Sequence, residues 1–179
     1  MRTVPLIFFM TCLFSACTSE NDFAVLPAPS EVGSHQMGFF LNNETWIPKD
    51  KGYHKDFELP IPSIDENGLV KISATRIDEG NHCRNWFCIE VLNSELKTGT
   101  FPISNETCKN VYQTYYYGDN KNLPSLTYDI IQSEKNEINF TKIDLEENII
   151  AGFFSFKAVS NLSDTIVVSQ GRFDLKLKE

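Results

Sequence analysis

IIAGFFSFKAVSNLSDTIVVSQGRFDLKL, residues 149–177, carries apolar side chains at every second position over most of its length. Gly152, Phe154, Phe156 and Ala158 alternate with Phe153, Ser155 and Lys157. Successive side chains of a strand point to opposite faces, so this period marks a β-strand with one buried face. After a polar break, Ile166 and Val168 start a second run, and Phe173, Leu175 and Leu177 continue it between Arg172, Asp174 and Lys176. The apolar parity slips at Gln170-Gly171. A glycine at such a slip predicts a β-bulge within one strand, or a tight turn, with Gly171 at positive φ. On this reading Phe154, Phe156, Ala158, Ile166, Val168, Phe173, Leu175 and Leu177 share an inward face. Lys157, Arg172, Asp174 and Lys176 point to solvent.

The same period recurs upstream. Val70, Ile72 and Ala74 alternate with Lys71, Ser73 and Thr75, and Phe87, Ile89 and Val91 alternate with Cys88 and Glu90. Leu126-Tyr128-Ile130 and Ile138-Phe140 are shorter examples, and Asn42-Asn43 is a turn dipeptide between Phe39-Phe40-Leu41 and Thr45-Trp46-Ile47. No stretch shows a capped 3.6-residue apolar period. Residues 48–68, with three prolines, and 104–124 read as irregular. Seven or more short strands with intervening turns predict an all-β fold, an antiparallel β-sandwich or partly open barrel, with a C-terminal hairpin bulged near Gly171. A chain of 179 residues with fourteen Phe suits one such domain, placed at 35–179.

The N-terminus has a different logic. Arg2 precedes the uncharged apolar run Val4–Ala16, which is too short to span a bilayer as a helix and reads as the core of a signal peptide, residues 1–16. Ser15-Ala16-Cys17 closes it and resembles the lipobox of bacterial lipoproteins, with Phe14 in place of the usual Leu. That resemblance implies cleavage before Cys17 and a lipid on its sulfur, hence palmitate-type acylation and attachment to the outer membrane of a bacterial envelope. Several acyl chains hold such an anchor stably. Residues 17–34 then form the lipidated terminus and a flexible linker, polar and Pro-bearing. Ser19-Glu20-Asn21-Asp22 reads equally as a solvated acidic linker or as a surface-export signal of the Bacteroidetes type.

Removing Arg2 from the 16 basic residues leaves 15 against 24 acidic ones, a net charge of −9. Such a surface repels phosphate backbones and excludes nucleic acid as a partner. Beyond Cys17 the exported chain keeps Cys83, Cys88 and Cys108. An odd set in an oxidising compartment predicts one disulfide and one free thiol. Cys83–Cys108 is the preferred pair, since loop cysteines adjust most easily to the required geometry. His82 beside Cys83 lacks the paired spacing of a zinc site, so no metal or other cofactor is expected. His35, His54 and His82 belong to no catalytic frame, and no catalytic residue is assigned. Tyr115, Tyr116, Tyr117 and Trp86 offer a surface on which sugar rings stack. Strand and edge packing is the reading their composition favours.

Two stretches carry a wider resemblance. Leu26-Pro27, Gly33, Gly38, Asn42 and Trp46-Ile47-Pro48 resemble the mature start of a family of Bacteroidetes-type lipoproteins of unknown function. Gly152-Phe153-Phe154-Ser155-Phe156, Asp164-Thr165-Ile166 and Gly171-Arg172-Phe173-Asp174 resemble its C-terminal hairpin. His35-Gln36-Met37, Phe39 and Asn43 depart from the family pattern. Asp164-Thr165-Ile166 also resembles the O-glycosylation acceptor of such bacteria, with Thr165 as the modified residue. The family implies location and fold, not mechanism. A non-catalytic envelope component that binds a glycan or an envelope protein, or has a structural role, is therefore the first expectation. A hydrolase acting on polysaccharide or peptide is the alternative.

Overall fold

A computed structural model of the chain describes residues 25–49, 60–78 and 80–177. The expected signal peptide, Cys17 and His54 lie outside the described residues. The structure is all-β. Its strands are β1 (Gln36–Leu41), β2 (Glu44–Trp46), β3 (Ile61–Ile64), β4 (Leu69–Asp78), β5 (Cys83–Leu92), β6 (Gly99–Pro102), β7 (Tyr112–Tyr116), β8 (Leu126–Ile130), β9 (Glu137–Asp144), β10 (Ile149–Ser160) and β11 (Thr165–Lys176). They form one antiparallel sheet in the order β2-β1-β11-β10-β8-β7-β5-β4-β3, with β9 on β10 and β6 on β9. Among the described residues no helix is long and apolar enough to cross a membrane.

The sheet curls over one apolar interior without closing as a ladder. Beyond β2, Lys49 reaches β4: its N–H donates to the Thr75 carbonyl at 3.1 Å, and its carbonyl accepts from Ile77 N–H at 2.9 Å. The Arg76 guanidinium donates to the Thr45 carbonyl at 2.9 Å beside this bridge. This clasp draws the two ends of the sheet together. Inside, Phe39 stacks on Trp46 with ring centroids 4.6 Å apart. Phe87 packs against Phe39 at 5.0 Å and Phe154 at 5.4 Å. These rings come from β1, β2, β5 and β10, so burial of aromatic area ties together strands far apart in the chain.

The C-terminal hairpin is built as its alternation predicts, with two differences. Phe154 pairs with Gly171 and Phe156 with Val168, so Ser169 and Gln170 together oppose Ser155. That is the bulge. Its left-handed residue is Gln170, at φ +50°, whereas Gly171 stays out of the left-handed region. Gly171 serves another purpose: a Cβ there would lie 2.5 Å from two atoms of the Phe154 ring, which covers it. The second difference is Asp174. It is 3% exposed rather than solvated, for reasons given below.

Two regions expected to be irregular hold strands. β3 contains Pro62, which is tolerated because β3 is an edge strand. β7 carries aromatic residues on both faces, so its period-two signal is masked. Asn42 and Asn43 adopt φ of +49° and +69°, the geometry of a tight primed turn, and join β1 to β2.

Candidate functional site

The β4–β5 hairpin and β7 place the expected aromatic residues. Trp86 pairs across with Thr75 on β4 and Gln113 on β7, and Arg84 pairs with Ile77 and Tyr115. Phe87, the next residue along β5, faces the core, so Trp86, Arg84, Gln113 and Tyr115 project from the outer face. Trp86 and Tyr115 are diagonal neighbours on that face, a separation of roughly 7–8 Å between positions. Tyr115 is 45% exposed and its hydroxyl donates to Gln113 Oε1. Tyr116 pairs with Cys83 and points to the opposite side. Tyr117 leaves the strand and sets its ring edge-on to His82, with centroids 5.8 Å apart. The fold therefore brings together Trp86 and Tyr115 and separates Tyr116 and Tyr117 from them.

The three described cysteines carry free thiols, and all three are buried. Cys83 begins β5, opposite Asp78 and Tyr116. Cys88 lies five residues further along the strand, about 17 Å away at extended spacing. Cys108 sits beside Cys88: its thiol donates to the Cys88 carbonyl at 3.1 Å. The preferred Cys83–Cys108 pairing is thus not the one the fold juxtaposes, because the loop bearing Cys108 runs along the far half of β5. Burial raises all three thiols above their ordinary range, with Cys108 reaching about 11. Among the described residues no group of three His, Cys, Asp or Glu side chains is placed to hold a metal ion. Thr165 is exposed at the start of β11, next to exposed Asp164.

The best-built polar cluster is one the alternation did not foresee. The Asp174 carboxylate, on β11, accepts hydrogen bonds from the N–H groups of Val32 at 3.2 Å, Gly33 at 2.7 Å and Ser34 at 3.0 Å. The Ser34 hydroxyl donates at 2.7 Å, and the Ser30 hydroxyl donates as well. Burial alone would raise this carboxyl, but the bonds from Ser30, Ser34 and Gly33 outweigh it and hold it down to about 2. Gly33, at φ +74°, lets three successive amides converge on one anion. The Arg172 guanidinium donates to the Pro27 carbonyl at 3.2 Å, and the Lys142 ammonium to the Glu31 carbonyl at 3.1 Å. The described part of the expected linker, residues 25–34, is therefore a strap bonded to β9 and β11.

Between this strap and β10 lies a shallow pocket of about 180 Å³, walled by Pro27, Glu31, the Phe153 ring and Arg172. Asp174 also borders it. Both of its carboxylate oxygens accept hydrogen bonds from the strap. The only sequence signal for this cluster was an acid inside the apolar run Phe173-Asp174-Leu175. Comparison of the chain with known protein families, with curated proteins and with solved structures finds no match.

Proposed function

We propose that the chain is an exported, lipid-anchored component of a bacterial envelope that binds a neutral glycan without transforming it. The observation that carries the binding reading is the placement of Trp86 and Tyr115 on one outward face of the β4–β5–β7 ladder, beside Arg84 and Gln113. Flat aromatic faces accept the C–H face of a sugar ring, and the neighbouring guanidinium, amide and Thr75 hydroxyl suit its hydroxyl groups. These groups stand on paired strands rather than on a loop, so little side-chain or backbone order has to be gained on binding. The overall negative charge disfavours anionic polysaccharides and directs the choice to neutral ones. The export reading is supported by Ser15-Ala16-Cys17 after its apolar run.

The test uses the full chain carrying Cys17→Ala, with and without Trp86→Ala or Tyr115→Ala, on an array of neutral and anionic polysaccharides. Retention of one class of neutral glycan, lost in both aromatic variants while their melting is unchanged, is the expected result. Failure of the unsubstituted protein to retain any glycan, or equal retention by both variants, would overturn the proposal.

A further inference from the structure

We infer that Cys88 and Cys108 form the single disulfide of the exported protein and that Cys83 stays a thiol. The inference rests on the export reading only for the source of oxidant in the cell. The juxtaposition itself comes from the fold.

Residues 103–111 follow β6 and run along the edge of β5 beyond the point where β7 stops pairing. Three groups sew them there. Cys88 N–H donates to the Val111 carbonyl at 3.0 Å, the Thr107 hydroxyl donates to the Glu90 carbonyl at 2.9 Å, and the Cys108 thiol donates to the Cys88 carbonyl at 3.1 Å. The far side of this segment is fixed as firmly. Asn105 accepts from Ile130 N–H at 2.8 Å and donates to its carbonyl at 3.0 Å. Cys108 N–H donates to the Ser104 carbonyl at 2.9 Å. Cys108 is thus held beside the Cys88 backbone, its sulfur 3.1 Å from the Cys88 carbonyl oxygen. The Cys88 thiol lies on the β5 face that carries Glu90, 3.8 Å from its carboxylate, and Lys71 bonds that carboxylate at 2.7 Å. The proposed bond would require the two side chains to turn toward each other, while the pairing of Cys88 with Ser73 is made by its backbone. Cys83, at the other end of β5, is out of reach of both.

The chemistry balances as thiol–disulfide exchange. The Cys108 thiolate, which the Glu90 backbone N–H favours, attacks a sulfur of a disulfide-bearing oxidant and releases one thiol. The Cys88 thiolate then displaces the second thiol from that mixed disulfide. Two protons and two electrons leave the protein, and the oxidant becomes two thiols. Because both sulfurs are buried, the reaction is slow in each direction, and the finished bond resists reductants in the folded state.

The full chain carrying Cys17→Ala is equilibrated over a series of oxidised-to-reduced glutathione ratios. It is then acid-quenched, alkylated and mapped as peptides without reduction. In oxidising buffer the peptides bearing Cys88 and Cys108 should be linked, lighter by two hydrogens, while Cys83 is alkylated. Cys83→Ser should leave the link intact. Reductant should lower the wild-type Tm by roughly 5–10 °C, the scale for closing a loop of this length, and should leave Cys108→Ser unmoved. Alkylation of both Cys88 and Cys108 in fully oxidising buffer, or a bridge to Cys83, would overturn the inference. Wild-type protein trapped with an alkylating agent in intact cells is mapped in parallel. A bridge that forms in vitro but is absent there upholds the pairing and tells against the export reading.

Discussion

Replacing Asp174 by Asn keeps the size and shape of the side chain and removes the charge on which residues 30–34 converge. The strap presents five donors to the carboxylate, four of them to Oδ2. An amide cannot satisfy this set. If its oxygen takes the Oδ2 position, its NH2 meets the Gly33 N–H, donor against donor. If it flips, the NH2 meets the other four. The magnitude follows from proton linkage. The carboxyl is held at about 2 from an ordinary 3.8, so the fold favours the charged form by about 2 kcal/mol. Asp174→Asn should therefore cost about 2–3 kcal/mol, a large part of the 5–15 kcal/mol a domain holds. Because the folded pKa lies below the unfolded one, this stabilisation is complete above about pH 4 and is lost as pH falls toward 2. Urea unfolding across that window should show the component in the wild type and not in the variant. Hydrogen exchange should show the Val32, Gly33 and Ser34 amides losing protection in Asp174→Asn at neutral pH. Wild-type exchange rates at these amides, together with unfolding within about 0.5 kcal/mol of the wild type, would refute the carboxylate as the pin of the strap.

Other expectations follow from packing. Gly171→Ala should destabilise by about 1–3 kcal/mol, because the new Cβ meets the buried Phe154 ring. Gln170→Gly, which removes left-handed strain, should be near neutral, and the reverse order in urea unfolding would refute both the crowding at Gly171 and the left-handed turn at Gln170. Phe156→Ala, at a 1% exposed core position, should cost roughly 3–5 kcal/mol, and a variant that melts like the wild type would show that this ring does not anchor the core. Cys17→Ala should abolish labelling by a radioactive fatty acid and release the protein from membranes. Continued labelling would end the lipoprotein reading.

Alternation alone was enough to assign the faces of β10 and most of β11, since period two depends on local geometry that every strand shares. The Asn42-Asn43 turn was legible for the same reason: few residues tolerate two successive positive φ values. β7 was not legible, because Tyr112, Gln113, Thr114, Tyr115 and Tyr116 present aromatics to both faces, and burial differs only once β5 and β8 lie beside them. The pairing of Cys108 was equally hidden, since the path of residues 103–111 along β5 is set by contacts with partners such as Glu90 and Ile130.

Gly171 and Asp174 mark the boundary between the two kinds of information. Sequence determined that the chain would slip register near 170 and that an acid would sit between Phe173 and Leu175. Only the tertiary structure decided that Gln170 takes the left-handed turn while Gly171 leaves room for Phe154. Likewise, only the tertiary structure brought a strap from 140 or more residues away to bury Asp174. Local rules govern a residue's own backbone and its alternation. Which atoms fill the space above a given Cα is fixed by strands that meet only after the chain has folded.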